Sequence, residues 1–140
     1  MNSSISERVK ERAAQLARTS FATETILDKL ATMSREEADA QPFGVVQVDD
    51  NGKILMYNKY ESELAKIASS EAEGKNFFRE VAPCTNNSLF YGNFKSCLVS
   101  GSMNLLFMYT FTYKMAPTNV FVHLYRDERS GKNFILVKRR

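Results

Sequence analysis

The 140-residue chain has no tryptophan, one histidine, two cysteines and three prolines. Each shortage excludes something. A lone histidine, His123, cannot build a His-rich metal centre, and Cys84 and Cys97 lack the spacing of a zinc site. Two cysteines are also too few for a disulfide scaffold. No run of 18 apolar residues occurs, so a membrane span is not expected. The opening MNSSISERVKERAAQ has charges of both signs and no apolar core, so it does not read as a secretory leader, and a cytoplasmic location is expected. The charge balance is nearly even: 19 Lys and Arg against 16 Asp and Glu leave +3, too little to imply a nucleic-acid partner. G-x-S-x-G, P-loop, H-E-x-x-H and dinucleotide-binding motifs are all missing, which argues against an enzyme. What is present is 44% hydrophobic content, including 10 Phe and 6 Tyr, enough for one domain with a substantial core.

The chain changes character near residue 42. Residues 1–41 contain no glycine or proline, and they read as an N-terminal helical cap or leader. Ile5, Val9, Ala13, Leu16 and Ala17 recur at helical spacing, predicting an amphipathic helix over about 4–18 with a thin apolar stripe. A second helix is expected over 22–30, with Ile26, Leu27 and Leu30 inward. Ser34 and Glu37 match a capping box. From Pro42 to residue 140 the pattern is that of a separate domain. Strands are expected at 44–49 and 53–57 around Asn51-Gly52, then short helices to Gly74 and helical turns over 75–82. A helix carrying Leu89, Phe90, Phe94, Cys97 and Leu98 on one side should end at Gly101. Three strands follow, at about 105–115, 119–126 and 132–139. The order predicts an α+β fold: a five-stranded antiparallel sheet with helices packed on one side. On the first late strand Phe107, Tyr109, Phe111 and Tyr113 share a face, either as ordinary core or as the lining of a pocket.

Few residues suggest chemistry. Cys84 follows Pro83 and precedes a polar turn, so it is either an exposed nucleophile, a cofactor anchor, or a buried free thiol. Cys97 lies on an apolar stripe and reads as a packing residue. Tyr57 and Glu61, four apart, share a side if a helical turn begins at Asn58. A tyrosine hydroxyl and a protonated carboxyl can both donate to one oxyanion, and an apolar pocket would keep the carboxyl neutral. Taken alone, a surface position for Glu61 remains open.

Four stretches carry a further signal: FGVVQVDDNGKILMYN, GKNFFREVAPCTNNSLFYGNFK, VSGSMNLLFMYTFTYKMAPTNVFVH and FILVKR. Together they span residues 43–139 and resemble the photoactive yellow protein family, small blue-light receptors of the PAS superfamily; GKNFF…VAPCT is the most specific part. The resemblance implies a PAS fold, an antiparallel sheet flanked by helices with an N-terminal helical cap. It implies p-coumaric acid (4-hydroxycinnamic acid) as a covalent thioester on Cys84, its phenolate held by Tyr57 and a neutral Glu61. Phe77, Tyr109, Phe111, Tyr113 and Met115 would fall at or near the pocket. Light would isomerise the bound group, Glu61 would yield a proton, and the buried charge would be relieved by rearrangement and release of the cap.

The chain departs from the family where a threonine and an arginine are common, with Ala65 and Ile67 in those pocket positions. The hydrogen-bond shell around the pigment is therefore expected to be altered. The other reading is a pigment-free or other-ligand PAS module for protein–protein interaction. The implied partner is a downstream signalling protein, with no nucleic acid and no membrane, and the N-terminal helices could also pair two copies.

Overall fold

The computed structural model describes residues 20–112 and 116–140. The helix expected over 4–18, and Tyr113 and Met115, lie outside them. The described chain begins with α1 (Glu24–Lys29), where the Thr23 hydroxyl caps the helix by accepting from Ile26 N–H. Glu24 in the first turn and Lys29 in the last both suit the helix dipole. A 3-10 turn, Leu30–Thr32, replaces the end of the expected longer helix. The capping box of Ser34 and Glu37 then opens α2 (Arg35–Asp39), as its spacing predicts.

The sheet follows. β1 (Gly44–Val48) and β2 (Ile54–Tyr57) form a hairpin whose turn is closed by Gly52 N–H donating to Asp49 C=O. Of the Asn51-Gly52 pair only Gly52 has positive φ, at 89°. After α3 (Lys59–Ala65) and α4 (Ser69–Ala72) come the compact turns Phe77–Val81, Pro83–Thr85 and Ser88–Gly92. Then α5 (Asn93–Ser100) leads to β3 (Asn104–Phe111), β4 (Thr118–Asp127) and β5 (Lys132–Arg139). All pairings are antiparallel, in the order β2-β1-β5-β4-β3.

The sheet is covered on both faces, not one. Val46, Val48, Val122, Leu124, Ile135 and Val137 face the larger core with α3 to α5. Val45, Phe134 and Leu136 face the opposite way, against Ala22, Leu27, Leu30 and Phe43 of the N-terminal segment. This double cover explains why residues 133–137 of β5 are all buried. The larger core is organised by Phe90, whose ring lies 5.1–6.2 Å from those of Phe77, Phe78, Phe107, Tyr109 and Phe111.

Two local expectations change. Ser88–Gly92 winds with wider π-type bonding, which shifts the helical phase, so Leu89 is half exposed while Phe90 and Phe94 stay inside. The first late strand ends at Phe111.

Asn58, wholly buried, joins three parts of this fold. Its Oδ1 accepts from Val45 N–H (2.9 Å) and Glu61 N–H (3.1 Å). Its Nδ2 donates to Ala38 C=O (2.7 Å) and Phe43 C=O (3.0 Å). Asn58→Ala leaves four backbone groups without this partner, so the expected loss is on the order of 3–5 kcal/mol in urea unfolding. A loss under about 1 kcal/mol would show that the amide is not the tie the geometry makes it.

Candidate functional site

Tyr57 ends β2, an edge strand, and projects into the larger core. Asn58 caps α3, which places Glu61 in the first turn of that helix with its carboxyl turned inward. Glu61 is only 2% exposed, which removes the surface alternative. Both side chains line one pocket with Leu64 and Ala65 of α3. Phe77, Val81 and Ala82 form another wall, Phe111 of β3 closes the pocket, and Cys84 lies at its margin, partly exposed. The cavity has a volume of about 310 Å³ including its opening to solvent, but its enclosed part has room for little more than a water molecule. A ligand of any size enters by side-chain shifts in the wall.

Two buried polar atoms in this pocket, Tyr57 Oη and Glu61 Oε2, have no hydrogen-bond partner among the described residues. Burial pushes the Glu61 carboxyl up to about 8, so it is largely protonated at neutral pH. Burial, and then the nearby Glu61 charge, pushes the Tyr57 hydroxyl far above its ordinary value. The pocket therefore presents two neutral O–H donors in an apolar setting, an arrangement suited to an anionic oxygen. Gly44 makes room for the carboxyl, because a methyl group there would overlap Glu61 Oε2.

The cysteine loop has its own support. Tyr109 Oη donates to Cys84 C=O (2.5 Å), and Asn87 Nδ2 donates both to Tyr109 Oη (2.6 Å) and to Cys84 C=O (3.1 Å). Asn87 Oδ1 also accepts from Phe90 N–H at 2.9 Å, which pins the loop to the aromatic core.

The structure thus brings Tyr57, Glu61, Ala65, Phe77, Cys84 and Phe111 together. Tyr109 supports the Cys84 backbone from outside the lining. Ile67, expected in the pocket, instead lines an adjoining outer depression with Lys66, Glu71, Lys75 and Glu80. The reason is local: Lys66 adopts a left-handed conformation (φ 58°, ψ 40°), which ends α3 and turns the chain away from the pocket. Val81 separates the two hollows and lines both. Sequence reasoning missed Gly44, Leu64, Val81, Ala82 and Asn87. Only the Asn87-x-x-Phe90 capping spacing offered any signal.

His123 is remote from this chemistry. Its neighbours Val122 and Leu124 face the pocket side, whereas its ring packs on the other side, 6.4 Å from Phe21. Its Nε2 lies 2.6 Å from Asn104 Oδ1, and burial pushes its pKa down to about 4. A Cys84–His123 dyad does not form. Among the described residues no group of three His, Cys, Asp or Glu is placed to hold a metal ion, and no helix is long and apolar enough to cross a membrane.

Comparison with known proteins agrees with this architecture at two levels. The PAS fold family matches residues 32–137. The photoactive yellow protein of Rhodothalassium salexigens is 39% identical over 119 residues, which is 85% of this chain and 95% of that protein. That of Cereibacter sphaeroides is 35% identical over 113 residues, 81% of this chain and 91% of that protein. The crystal structure of the photoactive yellow protein domain from the sensor histidine kinase Ppr of Rhodospirillum centenum superposes with a TM-score of 0.76 at 36% identity, covering 81% of this chain and 99% of that one. A PAS domain of the RpfR quorum-sensing receptor of Cronobacter turicensis, at 15% identity and a TM-score of 0.58, shares the fold alone. The chain is a PAS-fold sensor domain and belongs to the photoactive yellow protein family.

The buried carboxyl has a consequence for stability. An unfolded Glu61 releases its proton near 4.5, whereas the folded one holds it to about 8, so raising pH across this range favours unfolding. His123 acts oppositely below 6.5: the unfolded imidazole takes up a proton there and the folded one resists until about 4. Between pH 6.5 and 8 the Glu61 effect stands clear of the histidine. The protein should lose about 2 kcal/mol across that window in urea titrations, and Glu61→Gln should flatten the slope. Equal slopes in both proteins would mean that the folded carboxyl is already ionised.

Proposed function

We propose that this chain is a blue-light receptor that carries p-coumaric acid as a thioester on Cys84. The observation that supports this most strongly is the convergence of two buried, unpartnered donors, Tyr57 Oη and Glu61 Oε2, on a pocket with a cysteine at its margin. Such atoms are costly to bury unless something takes their hydrogen bonds, and a phenolate oxygen would take both. Phe77 and Phe111 offer apolar surface to an aromatic ring. Cys84, on a loop fixed by Tyr109 and Asn87, supplies the sulfur. These residues fit the group.

When bound, the coumaroyl group would supply light absorption and isomerisation of its double bond. The protein's part is proton control. Glu61 holds a proton at neutral pH and stands ready to give it up inside the pocket. The carboxylate left behind would be buried with no cation among the described lining residues, which strongly favours any rearrangement that hydrates it. Glu61 packs against Gly44 and shares Asn58 with Ala38 of α2, so that rearrangement would reach the N-terminal segment first. Residues 1–41 act in this reading as a cap whose displacement is the signal, passed to a downstream signalling protein.

Reconstitution tests the reading. The purified chain is treated with p-coumaric anhydride, whose acyl carbon bonds to the thiolate as free p-coumarate departs. A stoichiometric adduct on Cys84 with strong visible absorption is expected, and Cys84→Ala should abolish it. An unmodified protein with no visible band would instead favour a pigment-free or other-ligand PAS interaction module.

A further inference from the structure

The edge of β2 opposite β1 is not bare. Ile54 C=O accepts from Gly74 N–H, Ile54 N–H donates to Lys75 C=O, and Phe77 N–H donates to Gly52 C=O, each at 2.8 Å. These main-chain partners run out before Tyr57. Its N–H donates instead to a side chain, Glu73 Oε2, at 3.1 Å. The same oxygen accepts from Arg35 Nη2 of α2 in an ion pair. Glu73 is itself firmly placed: its N–H donates to Ser69 C=O at 2.9 Å, and its neighbour Ala72 is wholly buried. It does not line the pocket.

We propose that Glu73 is a positioning residue for Tyr57, holding the main chain of the pocket tyrosine through its amide while Arg35 ties the same carboxylate to the N-terminal segment. The proposal deepens the reading of the pocket given above and rests on it for its consequence. A tyrosine at the end of an edge strand has a ladder on one side only, so its ring position depends on what holds the other side. Arg35 is half exposed, so its ion pair contributes little stability; it binds the same oxygen that Tyr57 N–H uses. The arrangement also gives α2 a second connection to the site, separate from the one through Asn58.

The test compares Glu73→Ala with Glu73→Gln. Glutamine keeps an acceptor for Tyr57 N–H and loses the ion pair; alanine loses both. In the pigment-loaded protein, Glu73→Ala should shift the absorption maximum and change the dark-recovery rate by roughly 2- to 10-fold, the size of one hydrogen bond's net contribution. Glu73→Gln should stay close to the parent in both. If the parent takes up no pigment, the reading of the pocket fails while the positioning claim is still decided, by NMR on the apoprotein. There, Glu73→Ala should speed exchange of the Tyr57 amide and shift its ring resonances, and Glu73→Gln should preserve both. Urea midpoints confirm that each variant is folded. An alanine variant with the parent's spectrum and recovery, or with the parent's Tyr57 amide and ring signals in the apoprotein, would overturn the assignment. So would a glutamine variant that behaves like alanine.

Discussion

The carboxamide of Asn58 is the constraint on which the site depends. It stands between the strand that delivers Tyr57 and the helix that delivers Glu61. One oxygen serves β1 and the first turn of α3, and one nitrogen serves the end of α2 and Phe43. A neutral amide suits this place, since it has both lone pairs and both protons to give and brings no charge into the core. Because the same group caps α3 and holds the N-terminal segment, the direction of Glu61 and the docking of α2 are not independent. The second tie, from Glu73 to Tyr57 and Arg35, has the same form, one side chain serving the site and the N-terminal segment together.

The electrostatics are arranged by exclusion. Ion pairs among the described residues lie toward the surface: Arg35–Glu73, Lys59–Glu63 and Arg126–Asp50. Around the pocket, the buried amide of Asn58 makes uncharged polar contacts, and the pocket's one carboxyl stays protonated because burial penalises its charged form. Among the described residues, the pocket lining holds no cation to neutralise a charge appearing there. Such a charge must be lost by protonation, or relieved by bringing water to it, which means moving part of the wall. Gly44 shows how closely that wall fits, since one added methyl group would already collide with the carboxyl.

Much of the fold was legible in the sequence, for identifiable reasons. Two-residue alternation marked β3, Ser34 and Glu37 announced a helix start, and Gly101 announced a helix end. The helical stripe failed at Leu89 because a π-type turn has a different period, and no residue type signals such a turn. Cover on both sheet faces was hidden because the unbroken apolar run of β5 also suits a strand in a one-sided core with a few exposed side chains. Tyr57, Glu61 and Cys84, which line one pocket, were singled out by motif resemblance more than by physical pattern. Ile67 lines the adjoining depression because a left-handed Lys66 turns the chain after α3, and lysine does not advertise that conformation. Glu73 and Asn87 act across 16 and 22 residues and Gly44 acts by leaving space; of the three only Asn87, through its cap spacing to Phe90, has any local signature.

The two faces of the sheet raise a question of route. The pocket lies on one face, while α1 and the apolar part of the N-terminal segment lie on the other, with β1, β4 and β5 packed between them. Side chains on opposite faces of a dense sheet transmit little through the backbone ladder, because shifting one strand breaks bonds to two neighbours. The polar ties go around instead. Ala38 to Asn58, Asp39 to Lys59 N–H at 2.7 Å and Arg35 to Glu73 all lie where α2 meets the end of β2 and the start of α3. β2 is an edge strand and has one ladder fewer to break. In the proposed reading, a signal from pocket to N-terminal segment would therefore run around the β2 edge, where movement costs least, and the central strands could stay fixed while it passed.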